Sequence, residues 1–150
     1  MKYFRAGTFG ALLMAATLPA LAVDTVSSSD PPNLTAIRAK IDAKDYGAAI
    51  TGLNGLIDQG VRSPDVYNLL GYSLRKSGDR NSALTFYQKA LEFDPDHKGA
   101  LEYLGELYVE MGDMGKAREN VARLEKLCPQ GCEELSDLKE AIAQAPTATN

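Results

Sequence analysis

The chain has 150 residues, 45% of them apolar, which is enough for one ordinary domain around a single core. Its 20 acidic residues outnumber 16 basic ones, for a net charge of −4. That balance argues against a nucleic-acid binder, whose affinity rests on basic patches that displace counterions, and against simple electrostatic docking on anionic lipid.

Lys2 and Arg5 precede an apolar run from Ala11 to Leu18, and Ala20-Leu21-Ala22 closes it with small residues at both ends. This is the pattern of a secretory signal peptide, residues 1–22, cut after Ala22. An uncleaved anchor is the competing reading, but the run is too short to span hydrocarbon comfortably and Pro19 stands where the helix would have to continue. Cleavage removes two basic residues and no acid, taking the net charge to −6. No later segment is apolar for long enough to cross a bilayer, so no stable membrane insertion is expected afterwards. The expected location is periplasmic or secreted, and the short basic start and Ala-Leu-Ala end favour a bacterial periplasm. Ser27-Ser28-Ser29-Asp30-Pro31-Pro32 marks residues 23–32 as a flexible linker.

From residue 33 onward the chain repeats itself every 34 residues. Leu70-Gly71 recurs as Leu104-Gly105, Gly78-Asp79 as Gly112-Asp113, Ala83 as Ala117 and Pro95 as Pro129. One interval earlier Lys44-Asp45 and Ala49 fall into register, with Ile37 in place of the glycine and Val61 in place of the proline. Apolar residues at spacings of three and four, such as Tyr67, Leu70, Leu74 and then Leu84, Tyr87, Leu91, give amphipathic helices. Helices are expected at 33–43, 46–58, 64–77, 80–93, 97–111, 114–127 and 133–144. Ser63-Pro64-Asp65 reads as an N-cap, a proline at the first helical position and an acid in the first turn, and Asp79 and Asp113 cap second helices after a glycine turn. Gly71, Ala83 and Ala90 are small where packed helices must approach. Leu135, Leu138 and Ile142 give the last helix one apolar face, as a helix closing an open stack requires.

These residues resemble the tetratricopeptide repeat, whose signature runs large residue, Leu-Gly, Tyr, turn, Ala, aromatic, Ala, Pro. The second copy supplies Tyr67, Leu70, Gly71, Leu74, Ala83, Tyr87, Ala90 and Pro95. The third supplies Leu101, Leu104, Gly105, Tyr108, Ala117, Val121, Leu124 and Pro129, departing at the aromatic and at the second alanine. The resemblance implies an all-α, right-handed superhelical stack of about three helix pairs with a C-terminal capping helix, over residues 33–145, followed by a disordered tail at 146–150. It also implies a non-enzymatic module that binds a protein or peptide segment in a concave groove, with envelope assembly or secretion as the setting. The groove would be lined by the first helix of each pair. That register selects Arg38 and Asp42, then Asn68, Tyr72, Arg75 and Lys76, then Glu102, Glu106 and Glu110. Asn68 would bond a ligand amide, Tyr72 offer a ring face, Arg75 take a carboxylate and the glutamates accept basic side chains. The groove would be basic in the middle and acidic at one end. The two-carboxylate clamp of some family members is not matched, because its slots read Leu34, Arg38, Leu69, Gly99 and Tyr103.

Cys128 and Cys132, the only two cysteines, flank the turn before the last helix. A disulfide is the expectation in an oxidising compartment, a short-loop clip on the closing helix. A redox-active pair, a metal site and two free thiols are the alternatives; the first lacks a two-residue spacing, and the second needs more ligands than the distant His97 could supply. His97, the only histidine, reads as an exposed turn residue at a helix start. No nucleophile elbow or phosphate-binding glycine loop is present, so neither a catalytic group nor a cofactor or metal is expected. Two rival functions stand beside the binding module: thiol redox chemistry at Cys128 and Cys132, and a structural subunit that forms homo-oligomers by stacking its repeat ends.

Overall fold

The computed structural model describes residues 33–146; the expected signal peptide, the linker and the chain beyond Pro146 lie outside the described residues. Among the described residues there are seven helices and no strand: α1 (Thr35–Asp42), α2 (Tyr46–Asp58), α3 (Pro64–Lys76), α4 (Arg80–Phe93), α5 (Lys98–Glu110), α6 (Met114–Leu127) and α7 (Glu133–Gln144). Every expected helix is present, with ends differing by two residues at most. The architecture is the expected all-α superhelical stack of three helix pairs with a closing helix.

The turn inside each pair is built the same way. Lys44, Gly78 and Gly112, one repeat apart, all have positive φ, at 58°, 93° and 80°. The residue after each is an aspartate whose carboxylate accepts the N–H three residues on: Asp45 from Ala48, Asp79 from Ser82 and Asp113 from Lys116, at 3.0–3.1 Å. The left-handed residue reverses the chain and the aspartate starts the next helix. Side-chain hydrogen bonding from Ser82 and Lys116, with these backbone bonds added, holds the Asp79 and Asp113 carboxyls below the usual carboxylate range. Ser63 occupies the N-cap position of α3 and Pro64 its first turn, but the serine side chain makes no capping bond.

The first two pairs close where a glycine meets a large side chain, and the third repeat has its glycine covered from the closing helix. A Cβ on Gly71 would lie 2.7 Å from the ring of Tyr87, which is fully buried in α4. In the first pair the roles are exchanged, since Ile37 of α1 packs onto Gly52 of α2. In the third, Gly105 of α5 is covered by Leu138 of α7, 2.5 Å from where its Cβ would stand. The repeat has Val121 rather than an aromatic on α6, and the closing helix brings the missing bulk. Ala49, Ala83, Ala90, Ala100 and Ala117 are fully buried along the helix contacts. Asn120 of α6 donates to the Leu101 carbonyl at 2.9 Å, a buried bond that ties α6 to α5.

The helix α7 packs on both α5 and α6, in the place a further pair would begin. At its entry Cys128 and Cys132 stand with Cα atoms 5.9 Å apart and sulfurs within bonding distance, and Gly131 between them has φ 93°. The separation lies within the range a disulfide demands.

Candidate functional site

The first helices of successive pairs, α1, α3 and α5, stand side by side, and α7 continues the row. Cavities between them form a groove along one side of the stack. Its middle is an aromatic shelf. A cavity of about 240 Å³ is lined by Arg38, Ile41 and Asp42 of α1, Leu69 and Tyr72 of α3 and Tyr103 of α5. The Tyr72 and Tyr103 rings are tilted at 5.0 Å between centroids, and Tyr46 of α2 meets Tyr72 edge-on at 6.5 Å. Burial pushes the Tyr103 phenol up to about 12 and also raises that of Tyr72, so both remain neutral hydrogen-bonding groups. The Lys76 ammonium lies 5.3 Å above the Tyr72 ring.

On one side of the shelf Arg75 enters the interior. Its guanidinium bonds the Glu106 carboxylate at 2.5 Å, reaches the Tyr103 carbonyl at 3.5 Å and lies 3.8 Å from Glu110. Glu110 in turn pairs with Arg80 at 3.0 Å. Only 4% of the Arg75 side chain is exposed. Burial opposes its charge, but the neighbouring Tyr87 and Glu106 outweigh it and hold the guanidinium above its ordinary value. The network joins α3 and the start of α4 to α5. Beside it opens a wider hollow of about 650 Å³, whose far wall is Ala141 and Gln144 of α7.

On the other side lies an acidic notch of about 320 Å³. Asp65, Asn68 and Leu69 of α3, Glu102 and Tyr103 of α5, and Glu133, Glu134 and Asp137 of α7 line it together with Arg38, His97 and Gly99. His97 is the N-cap of α5: its Nδ1 accepts the Ala100 N–H at 3.0 Å, which leaves Nε2 to donate to Asp65 at 3.2 Å. The exposed turn residue expected from the sequence is therefore a cap that ties α5 to α3, with 15% of its side chain exposed. Arg38 of α1 reaches the same Asp65 carboxylate at 3.9 Å. Glu102 is buried and has no ion-pair partner among the described residues. Burial, with Glu106, Asp137 and Glu134 adding repulsion, pushes its carboxyl up to about 8. Asn68 is 5% exposed, and its Oδ1 is buried without a hydrogen-bond partner.

Arg38, Asn68, Tyr72, Lys76, Glu102 and Glu106, named from the repeat register, all border these three hollows. Arg75 does so too, but it is already bound to Glu106 rather than free for a ligand carboxylate, which leaves Lys76 as the basic side chain of the expected middle. Sequence reasoning read Asp65 only as a first-turn acid and Tyr103 only as an unmatched clamp slot, and it missed the α7 acids. Glu133 and Asp137 fall opposite Leu135 and Leu138 at helical spacing, which was the signal available for them; Glu134 lies one turn before Leu138, beside the apolar face.

Among the described residues no three His, Cys, Asp or Glu side chains are placed to hold a metal ion, and no helix is long and apolar enough to cross a membrane.

Two family models described as tetratricopeptide repeat match residues 34–97 and 74–142. Among curated proteins, the cellulose synthase 2 operon protein C of Komagataeibacter xylinus is 31% identical over 72% of this chain. The uncharacterized protein ycf37 of Pyropia yezoensis is 32% identical over 41% of it. The chain spans 8% and 35% of the lengths of these two relatives. Among solved structures, PcrH in complex with the chaperone binding region of PopB is similar with a TM-score of 0.62 at 16% identity, over 72% of this chain and 87% of that one. A crystal structure of MamA is similar with a TM-score of 0.60 at 20% identity, over 73% and 62% of the two chains. The helices, the 34-residue spacing and these matches agree: residues 34–142 form an array of tetratricopeptide repeats.

Proposed function

We propose that this protein is an exported, non-enzymatic interaction module that holds a segment of another protein in the groove formed by α1, α3, α5 and α7, in envelope assembly or a secretion complex. The observation that carries the reading is the aromatic shelf of Tyr72, Tyr103 and Leu69. A ring shelf takes apolar side chains. The similar structure of PcrH holds the chaperone binding region of PopB, which makes segment binding the natural use of such an array. Export accords with the sequence of residues 1–22, and with Cys128 and Cys132 standing within bonding distance as a disulfide clip.

The test is site-specific photo-crosslinking. A benzoylphenylalanine at Arg38 or Lys76 is expected to capture partner protein, and one at the exposed Thr85 of α4 is expected to capture none. Equal capture from the three positions, or capture from Thr85 alone, removes the groove from the reading. Export is read separately: the purified protein should begin at Val23, and an intact Met1 would overturn it.

A further inference from the structure

The closing helix α7 lies outside the repeat, yet it lines two hollows of the groove. Glu133, Glu134 and Asp137 face the notch, and Ala141 and Gln144 face the wider hollow. Its hold on the stack is uneven along its length. Leu138 is fully buried over Gly105, and Leu135 packs with it in one cluster with Leu101 and Leu124. At the start of the helix acids stand on both sides of the seam with α5, and among the described residues no ion pair crosses it. The one ion pair that α7 makes with the rest of the described stack is Lys139 with Glu125 of α6, at 2.7 Å and half exposed. What fixes the start of α7 is the bond between Cys128, the C-cap of α6, and Cys132, the N-cap of α7.

The two sulfurs are not equivalent. Cys128 borders a hollow of about 480 Å³ between α6 and α7, shared with Glu125, Pro129 and Lys139. Its sulfur lies 3.0 Å from the Leu124 carbonyl oxygen, an acceptor for a thiol proton and a poor neighbour for a thiolate. Cys132 heads α7 and its side chain makes no capping bond, so the free N–H groups of the first turn are available to an anionic sulfur. Glu133 and Glu134 in that turn weaken the preference, and the Leu124 carbonyl at the other sulfur maintains it. Exchange favours the leaving sulfur that is better stabilised as thiolate, so a thiolate entering the hollow bonds Cys128 and expels Cys132.

On the groove reading above, we infer that the Cys128–Cys132 pair is a redox-set latch on the last wall of the groove, opened by a dithiol that enters beside Cys128. The first thiolate of the dithiol bonds the Cys128 sulfur as the Cys128–Cys132 bond breaks, and Cys132 leaves as thiolate and takes up a proton. The second thiol of the dithiol then attacks its own bonded sulfur and releases Cys128. Two electrons and two protons pass to the pair, and the dithiol becomes a disulfide. With the connector freed, the start of α7 parts from α5 and turns about Leu138, which stays on Gly105. The notch widens, and a segment gripped between α3, α5 and α7 loses one wall while the aromatic shelf still holds it. The pair acts as a control on holding, not as a catalyst for disulfides of other proteins.

The experiment treats the oxidised full chain with reduced glutathione and, separately, with dithiothreitol. Glutathione exchange quenched with iodoacetamide is expected to leave glutathione on Cys128 and the alkyl group on Cys132, by about fivefold or more over the reverse arrangement. Dithiothreitol should quicken hydrogen exchange from Ser136 to Glu140 about tenfold while α3 and α5 keep their rates. A benzoylphenylalanine at the exposed Glu133 should capture partner protein from the oxidised chain and several times less from the reduced one, with capture from Arg38 retained. Two free thiols in the purified protein, glutathione mainly on Cys132, or α7 exchange indifferent to reduction overturns the proposal. Capture that persists at Arg38 and is equal at Glu133 in both states removes the latch and leaves segment holding intact. Absence of capture at every groove position, with the cysteine chemistry as expected, removes the segment reading and with it the role of the latch.

Discussion

Ile37 of α1 packs onto Gly52 of α2, whereas in the next pair the glycine is Gly71 on the first helix and the large residue is Tyr87 on the second. The helix contact is preserved by moving the small residue to the other partner. The apparent decay of the first repeat is thus a reciprocal exchange, and each of these two pairs has one place where its helices close over a missing side chain.

The two glycines should respond differently to alanine. At Gly71 the new methyl meets three atoms of a ring that is fully buried, so G71A should cost about 1–3 kcal/mol. At Gly52 it meets the end of a flexible isoleucine, and the better helix propensity of alanine offsets the crowding, so G52A should stay within about 1 kcal/mol of the native protein. Urea unfolding of both variants decides it; equal costs would contradict the packing described.

Lys44 holds a left-handed conformation that its two repeat equivalents assign to glycine. K44G should therefore stabilise the protein, by roughly 0.5–1 kcal/mol after the added freedom of the unfolded chain is set against the relieved strain. A lowered urea midpoint would show that Lys44 is not strained.

Glu102 carries a pH signature. Its folded carboxyl titrates at about 8 and its unfolded one near 4.5. Between those values the unfolded chain gives up a proton that the folded chain keeps, so the group's contribution favours the folded state below about pH 4.5 and declines as pH rises to about 8. E102Q lacks this decline. The variant should match the native protein near pH 4.5, exceed it in stability at pH 7 and hold that advantage above pH 8. Denaturation midpoints at pH 4.5, 7 and 8.5 test it; a variant less stable at pH 7 would reverse the sign and show that the carboxyl is paired.

The cysteine pair encloses a very short loop, so chain-entropy arithmetic gives its bond a worth of about 2 kcal/mol. C128S/C132S should lose about that much, and hydrogen exchange should quicken first in α7. Partner crosslinking through Arg38 should survive. Loss of all capture in the double variant, with the helices intact, would favour the redox function instead.

The helix boundaries were legible because the turns are written in local chemistry. Gly78-Asp79 and Gly112-Asp113 state a reversal and a cap in two residues, and the 34-residue period extends that reading back to Lys44-Asp45. The groove register was legible for the same reason, since position along a repeat decides which face a side chain occupies. What the period does not encode is the distance between pairs. Arg75 reaches from its own repeat to Glu106 and Glu110 of the next, and His97 reaches Asp65 across 32 residues, so both roles depend on how α5 settles against α3. Leu138 covers Gly105 for a like reason: the Val121 departure was visible, but the helix that compensates for it lies outside the repeat.

The buried Arg75 bridge also bears on how the groove can accommodate what enters it. Between α3 and α5 the spacing is fixed by a charged contact sealed from water, and parting those helices would leave a guanidinium stranded in the interior. Between α1 and α3 the only ion pair among the described residues is Arg38 with Asp65, half exposed and 3.9 Å long. One jaw is set by a buried charge and the other by the apolar contact of Ile37 with Val66 and Leu69, so on the proposed function an incoming chain would meet a wall fixed in direction at the third pair and a less directional one at the first.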